Sequence, residues 1–148
     1  MARRLRTAAL VLLAVLALAQ LVPVTRDNPP VTADVGAPPA VAAVLRRSCY
    51  DCHSHETRWP WYAHVAPTSW LVVHDVHEGR EHLDFSTWNA YPAKKRAKKL
   101  DDVVEAVTEG WMPYWPYLIV HRDARLAKAD AEAIAAWARA AAEGAGAR

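Results

Sequence analysis

Cysteine and phenylalanine are scarce in this chain, and neither sign of charge dominates. Its 148 residues include two cysteines and one phenylalanine. The cysteines, Cys49 and Cys52, are too close in sequence for a disulfide that spans the fold. Three of the 18 Lys and Arg residues stand at positions 3, 4 and 6, and the remaining 15 nearly balance the 16 Asp and Glu residues. A global basic excess is therefore missing, and nothing in the composition indicates nucleic-acid binding.

Tryptophan and tyrosine are plentiful by contrast, with seven and five residues. Rings with a polar edge are better suited to the wall of a pocket for a large flat ligand, or to a hydrated interface, than to an aliphatic core. The composition therefore favours a domain that holds a ligand.

The N-terminus has the pattern of an export signal. Arg3, Arg4 and Arg6 precede an apolar run over residues 8–24. The run is interpreted as a membrane anchor, with a cleaved signal peptide as the alternative because Ala17-Leu18-Ala19 fits a small-x-small cleavage site. Either interpretation predicts that the chain from about Thr25 lies outside the cytoplasm, on the membrane or secreted to the periplasm.

The rest of the chain is long enough for one domain. We predict a signal segment over 1–25, a proline-rich extended linker over 26–39 and a domain over 40–148. Apolar residues recur at helical spacing in four stretches, and glycines 79 and 110 are expected to end two of these helices. The predicted helices are 40–48, 67–78, 93–109 and 127–142, with a loop at 111–116. The expected fold is all-α.

The motif Cys49-Tyr50-Asp51-Cys52-His53 carries the chemistry. C-x-x-C-H is the attachment signature of c-type haem, in which two thiols bond the porphyrin and the adjacent histidine binds the iron. A redox dithiol and a zinc site that adds His55 and His64 are the alternatives. Neither a βαβ pattern nor a second ligand pair with finger-like spacing accompanies the motif, so haem is preferred.

Met112 is the predicted sixth iron ligand. It lies in a loop after the third helix and precedes Pro113, and a thioether ligand raises the reduction potential. A methionine that fills a gap in the core is the alternative. The competing iron ligands are His64, His74, His77 and His121.

The pair of motifs, with a helix on either side, resembles a class I, cytochrome c-like arrangement. More specifically, the chain is similar to the bacterial haem-binding domain family of small, N-terminally anchored monohaem proteins. The strings that carry the resemblance are Asn28-Pro29-Pro30, Cys49 to Ser54, Thr57 to Tyr62, Ala66 to Trp70, Asp75 to Arg80, Leu83 to Trp88, Gly110 to Pro113 and His121 to Leu126. The resemblance implies one covalent haem c and electron transfer, in a bundle of about four helices with long ordered loops.

Other residues have two interpretations each. The tryptophans Trp59, Trp61, Trp70 and Trp111 are expected either in the wall of the haem pocket or in ordinary core packing. Arg58 and Arg80 are expected to pair with a haem propionate or to remain solvated. The basic run 94–99 is a solvated helix face or a docking patch for an acidic redox partner.

The predicted function is electron transfer by an exported haem protein that is not an enzyme. The alternative is a haem enzyme, or a gas or redox sensor, in which the distal ligand is labile. A structural zinc module is the third hypothesis.

Overall fold

Seven α-helices are present in residues 1–146, which are the residues that the computed structural model describes. They are α1 (Ala2–Ala19), α2 (Pro39–Ser48), α3 (Tyr50–His53), α4 (Thr68–His82), α5 (Ala93–Thr108), α6 (Trp115–Val120) and α7 (Lys128–Gly146). Short 3₁₀ helices occupy Trp61–His64, Trp88–Ala90 and Arg122–Ala124. The only β pairing within the described residues is an isolated bridge, so the fold is all-α.

Packing of α5 against α7 forms the centre of the domain, and α2 lies against α7. The apolar stripe predicted on α5 is buried, with Leu100, Val103 and Val107 facing Ile134 of α7. A stripe of this kind buries one face of each helix and leaves the charged face in water. The buried cluster comprises Val41, Leu45, Tyr50, Phe85, Trp88, Leu100, Val103, Val107, Ile134, Ala135 and Ala138.

The helices outnumber the four expected, and the last of those four ends at Gly146 rather than at 142. Gly79 does not end α4, which continues to His82. The prediction of a loop over 111–116 is wrong from Trp115 onward, because α6 begins there. Pro116 lies in the first turn of α6, where its missing N–H costs no hydrogen bond. Gly110 does follow α5 as expected, in the left-handed region with φ of 74°.

Helix α1 buries none of its residues. Within residues 1–146, no helix combines the length and the apolar character needed to cross a membrane. The end of α1 is nevertheless attached to the domain, because the Gln20 side chain bonds the backbone of Ala66 twice. Its Oε1 accepts from the N–H at 2.9 Å, and its Nε2 donates to the carbonyl at 3.1 Å.

The segment 26–38 leads to α2 without a helix or strand of its own, and Pro39, predicted as part of the linker, is the first residue of α2. The backbone N–H groups of Thr32 and Ala33 donate to the Ser86 carbonyl, and the Trp88 N–H donates to the Ala33 carbonyl. These bonds form the isolated parallel bridge between Ala33 and Thr87. The segment is therefore held beside Phe85, in the middle of the core.

Candidate functional site

The C-x-x-C-H motif forms a single helical turn at the end of α2. The Cys49 carbonyl accepts from the backbone N–H of Cys52 at 3.2 Å and of His53 at 3.0 Å. Side chains three residues apart lie on the same side of such a turn. Both cysteines are free and half-buried. The turn therefore presents two unbridged thiols together, with the histidine directly after them.

The ring of His53 is fixed by two backbone carbonyls. Its Nδ1 lies 2.8 Å from the Gly79 oxygen and 3.0 Å from the Leu83 oxygen. Because carbonyl oxygens only accept, Nδ1 carries the hydrogen and Nε2 keeps its lone pair. Nε2 has no hydrogen-bond partner in the part of the chain described here. Iron-ligating histidines have this arrangement, in which a backbone acceptor sets the tautomer and the ring orientation.

Burial also keeps His53 neutral. It lowers the pKa of the imidazole below the ordinary 6.5, and the two carbonyls that favour the charged form do not reverse the shift. The neutral ring is the form that binds a metal.

Gly79 brings α4 against the motif, and sequence reasoning missed this role. A Cβ on Gly79 would lie 2.6 Å from the Cys52 carbonyl oxygen and 3.2 Å from the Cys52 Cβ. The missing side chain thus lets the Gly79 carbonyl reach His53. A glycine inside a helical pattern signals either a helix end or a close approach, and the close approach is the one found at Gly79.

The two thiols are protonated rather than activated. Burial raises the pKa of Cys49 to about 12 and that of Cys52 to about 12. Redox-active dithiols have the opposite property, a thiol pKa depressed by nearby positive charge or a helix N-terminus. The raised pKa values of the two thiols therefore argue against a redox-active dithiol.

Asp51, between the two cysteines, connects the motif to distant segments. Its carboxylate accepts from the Arg58 side chain at 2.9 and 3.1 Å, from the Arg58 N–H at 3.1 Å, and from the Tyr117 hydroxyl at 2.7 Å. Burial alone would raise the pKa of Asp51, but the hydrogen bonds from Arg58 and Tyr117 outweigh it and lower the pKa below 3.8. A buried carboxylate thus joins α6 to the motif.

A second connection fastens the 3₁₀ helix Trp61–His64 to the end of α6. The Tyr62 hydroxyl lies 2.5 Å from Nε2 of His121, and the His121 ring stacks on Tyr117 with centroids 4.1 Å apart. His121 was a competing iron ligand in the sequence analysis, and here its Nε2 is engaged by Tyr62. Together, the Asp51 and His121 contacts bring the chain that follows Met112 back to the motif.

Large apolar side chains remain exposed on the segments around the motif. Trp61 is 78% exposed, Trp111 is 60% exposed, and Trp70 and Met112 are each more than one-third exposed. Other exposed residues on the same segments are Val65, Leu71, Tyr114, Trp115, Ile119 and Val120. Large apolar side chains that stay exposed on neighbouring segments are expected of a ligand or partner surface. Trp59 differs, because it is half-buried.

The remaining predicted residues lie as follows. Arg80 binds protein acceptors, with Nε 2.9 Å from the Ser54 carbonyl and Nη2 2.9 Å from the Thr57 hydroxyl, as well as Asp27 and Asn28. Its guanidinium is therefore already used inside the protein. Residues His64, His74 and His77 are exposed.

Met112 lies two residues after Gly110, and its N–H donates to the Ala106 carbonyl at 3.2 Å. It lines a cavity of about 210 Å³ with Val107 and Leu118. In the described part of the chain, no three His, Cys, Asp or Glu side chains are grouped to hold a metal ion. The motif packs against α4 at Gly79, and the hydrogen bond from Tyr117 to Asp51 connects the segment after Met112 to the motif.

Comparison with known proteins adds one match. No curated protein and no solved structure matches the chain. The family model described as "Haem-binding domain" matches residues 14–140, which include the motif, α4 and the Met112 segment. The chain therefore belongs to the haem-binding domain family.

Proposed function

We propose that the protein carries one haem c, attached through thioethers at Cys49 and Cys52 with His53 as the proximal iron ligand, and that it transfers electrons. Haem binding itself follows from the family. The observation that carries His53 as the iron ligand is the orientation of its ring, with Nδ1 held by two carbonyls and Nε2 without a partner in the described residues. Two protonated thiols one turn apart supply the groups that add to the porphyrin vinyls.

Unpaired polar atoms around the motif fit a porphyrin with carboxylate groups. Nε of Arg47, Oγ of Ser48 and Nε1 of Trp59 are buried without a hydrogen-bond partner in the described residues. Buried donors of this kind are costly unless an acceptor reaches them. Trp59, six residues past His53, would be able to donate to a propionate oxygen, whereas Arg47 and Ser48 directly precede Cys49 and would lie by the thioether edge of the porphyrin. The exposed tryptophans nearby gain from the burial that a large flat ligand supplies.

The chain's own groups suit an electron carrier. When bound, haem supplies a single iron that cycles between the ferrous and ferric states. Hydrogen bonds from His53 to Gly79 and Leu83 fix the ring and raise its basicity as a ligand. The Asp51 carboxylate is occupied by Arg58 and Tyr117, so it is not free to act as a general base. Electron transfer requires neither His53 nor Asp51 to gain or lose a proton.

Met112 is proposed as the sixth ligand, within a cytochrome c-like arrangement of the domain. Its support is the Asp51–Tyr117 bond, which returns the segment after Met112 to the motif, and its position among exposed aromatic residues. His74 and His77 are exposed on α4, the helix whose Gly79 carbonyl holds the Nδ1 side of His53 rather than the Nε2 side.

We further propose that the segment 1–25 anchors the domain 40–148 on the outer side of the cytoplasmic membrane through the linker 26–39. Its support is the apolar surface of α1, exposed along its length, and the basic residues ahead of it. Membrane fractionation and the intact mass of the isolated protein test this. If the isolated protein is freely soluble and begins at Gln20, the segment is a cleaved signal peptide and not an anchor.

Expression with a cytochrome c maturation system tests the haem proposal. The wild type should retain haem on a denaturing gel and show a low-spin reduced-minus-oxidised spectrum. Double replacement Cys49→Ser with Cys52→Ser should abolish the haem stain, whereas His74→Ala should keep it. Covalent haem in the double variant would refute the assignment. Rapid binding of CO by the wild type would favour the gas-sensor alternative over electron transfer.

A further inference from the structure

A row of aromatic rings leads from the proximal histidine to the protein surface. The ring centroids of His53 and Phe85 are 6.4 Å apart, those of Phe85 and Trp88 are 6.5 Å apart, and those of Trp88 and Tyr91 are 5.6 Å apart. Phe85 and Trp88 are buried, and Tyr91 is partly exposed. The row therefore crosses the core and ends at Tyr91, just ahead of α5.

Positive charge is concentrated where the row ends. The ammonium groups of Lys95 and Lys99 lie 5.3 and 4.7 Å from the centroid of the Tyr91 ring. The basic surface consists of Lys94, Lys95, Arg96 and Lys98 at the start of α5; Lys99 beside them is buried, and its ammonium donates to the His82 carbonyl.

This placement costs stability within the isolated chain. Basic side chains oppose the helix dipole at an N-terminus, and like charges four residues apart repel. The first turn of α5 contains no acidic residue, and Lys98 is the one member of the basic surface that forms an ion pair in residues 1–146, with Asp102. An anionic surface outside the chain would offset this repulsion.

We propose that the basic surface with Tyr91 is the docking site for a redox protein whose surface is acidic, and that electrons pass between it and the haem along His53, Phe85, Trp88 and Tyr91. The inference rests on the proposed function. One electron leaves the ferrous iron and reduces a one-electron acceptor in the partner, and no bond or proton is exchanged.

The surface beside Met112 is the competing location. Arg125 and Lys128 lie there, next to the cavity that Met112 lines. Lys128 already pairs with Glu132 at 3.7 Å. The start of α5 therefore offers the larger group of cations without carboxylate partners.

Charged inorganic oxidants test the location in the holoprotein. Ferrous protein is mixed with hexacyanoferrate(III), a trianion, or with tris(phenanthroline)cobalt(III), a trication, and oxidation is followed by stopped flow. Lys94→Glu with Lys95→Glu should slow the reaction with the anion about tenfold at low ionic strength, since electrostatic steering changes association rates by this order. The same variant should speed the reaction with the cation. Added salt should reduce the difference in rate between the variant and the wild type.

Arg125→Glu with Lys128→Glu is the matched control, because it changes the net charge equally at the competing surface. It should leave both rates close to those of the wild type. An equal or larger loss in this control overturns the proposed location.

Binding is measured without electron transfer by adding hexacyanochromate(III), a redox-inert paramagnetic trianion. Amide resonances of residues 91–99 should broaden first, and the Lys94→Glu, Lys95→Glu variant should lose this broadening. Broadening centred on residues 110–128 would overturn the proposal.

Two variants of Tyr91 test the row itself. The hydroxyl of Tyr91 accepts from the Asp84 N–H at 3.1 Å, and both Tyr91→Phe and Tyr91→Leu lose this bond. Only the leucine variant loses the ring, so it should transfer electrons more slowly than the phenylalanine variant at high salt. Equal rates would refute the route. A protein without covalent haem would refute the proposed function instead, and intact haem with rates indifferent to every substitution would refute this inference alone.

Discussion

Replacement of Gly79 by alanine tests the closest contact in the site. The new methyl group would lie 2.6 Å from the Cys52 carbonyl oxygen and 3.1 Å from its carbon. Both atoms belong to the backbone of the motif, so no side chain can rotate aside. Helix α4 must move away, and the 2.8 Å bond from His53 to the Gly79 carbonyl must lengthen.

Gly144→Ala provides a control that separates two opposing effects. Alanine is favoured over glycine in a helix interior by about 0.8–1.0 kcal/mol, and both glycines lie in helices. A Cβ on Gly144 meets nothing within 4 Å. Since the gain in helix propensity is shared, the difference in unfolding free energy between the two variants reports the overpacking cost, about 1–3 kcal/mol.

Urea unfolding of the holoproteins measures this difference, and haem staining measures attachment. Gly79→Ala should unfold at lower urea than Gly144→Ala and should attach less haem, because the proximal ring is no longer held. If Gly79→Ala is as stable as Gly144→Ala and attaches haem fully, the close approach of α4 to the motif is wrong.

Three further predictions concern the distal segment and the buried carboxylate. Met112→Ala should remove the weak far-red sulfur-to-iron absorption band, lower the potential and open the iron to CO; a silent variant would assign the sixth ligand elsewhere. Tyr117→Phe should destabilise the protein by about 1.5–3 kcal/mol, because it deletes a hydrogen bond to a charged group, whereas Tyr114→Phe, at an exposed ring, should not. The pKa of Asp51 is lowered on folding, so its stabilising effect should be complete above the ordinary value of 3.8 and should fade as the pH falls below it. Asp51→Asn should flatten this acid limb in urea titrations, and an unchanged limb would contradict it.

Local patterns predicted much of the fold. The proposed haem attachment rests on a C-x-x-C-H spacing within five residues, so that hypothesis needs no tertiary information. The stripe of Leu100, Val103 and Val107 predicted the buried face of α5, because helical periodicity determines which side chains share a face.

Contacts between residues far apart in sequence were not predictable in this way. Asp51 and Tyr117 are separated by 66 residues, and Gly79 lies 26 residues from His53. The local pattern of α4 does not indicate that Gly79 faces Cys52 rather than solvent. Helix α6 was missed because two prolines and a glycine in 110–116 indicate a loop, although proline is compatible with a first helical turn.

The bridge between Ala33 and Thr87 lies last in a series of contacts that would carry a mechanical load from the N-terminal segment into the domain. A pull applied ahead of Gln20 first strains the two Gln20 bonds to Ala66. Further load acts on the bonds that join Arg26 to Ala63, Asp27 to Arg80 and Asn28 to Thr57. Only then does it reach the backbone bonds at Ser86 and Trp88, beside Phe85 in the core. Tension on this segment is thus divided among several loops before it acts on the backbone beside the core.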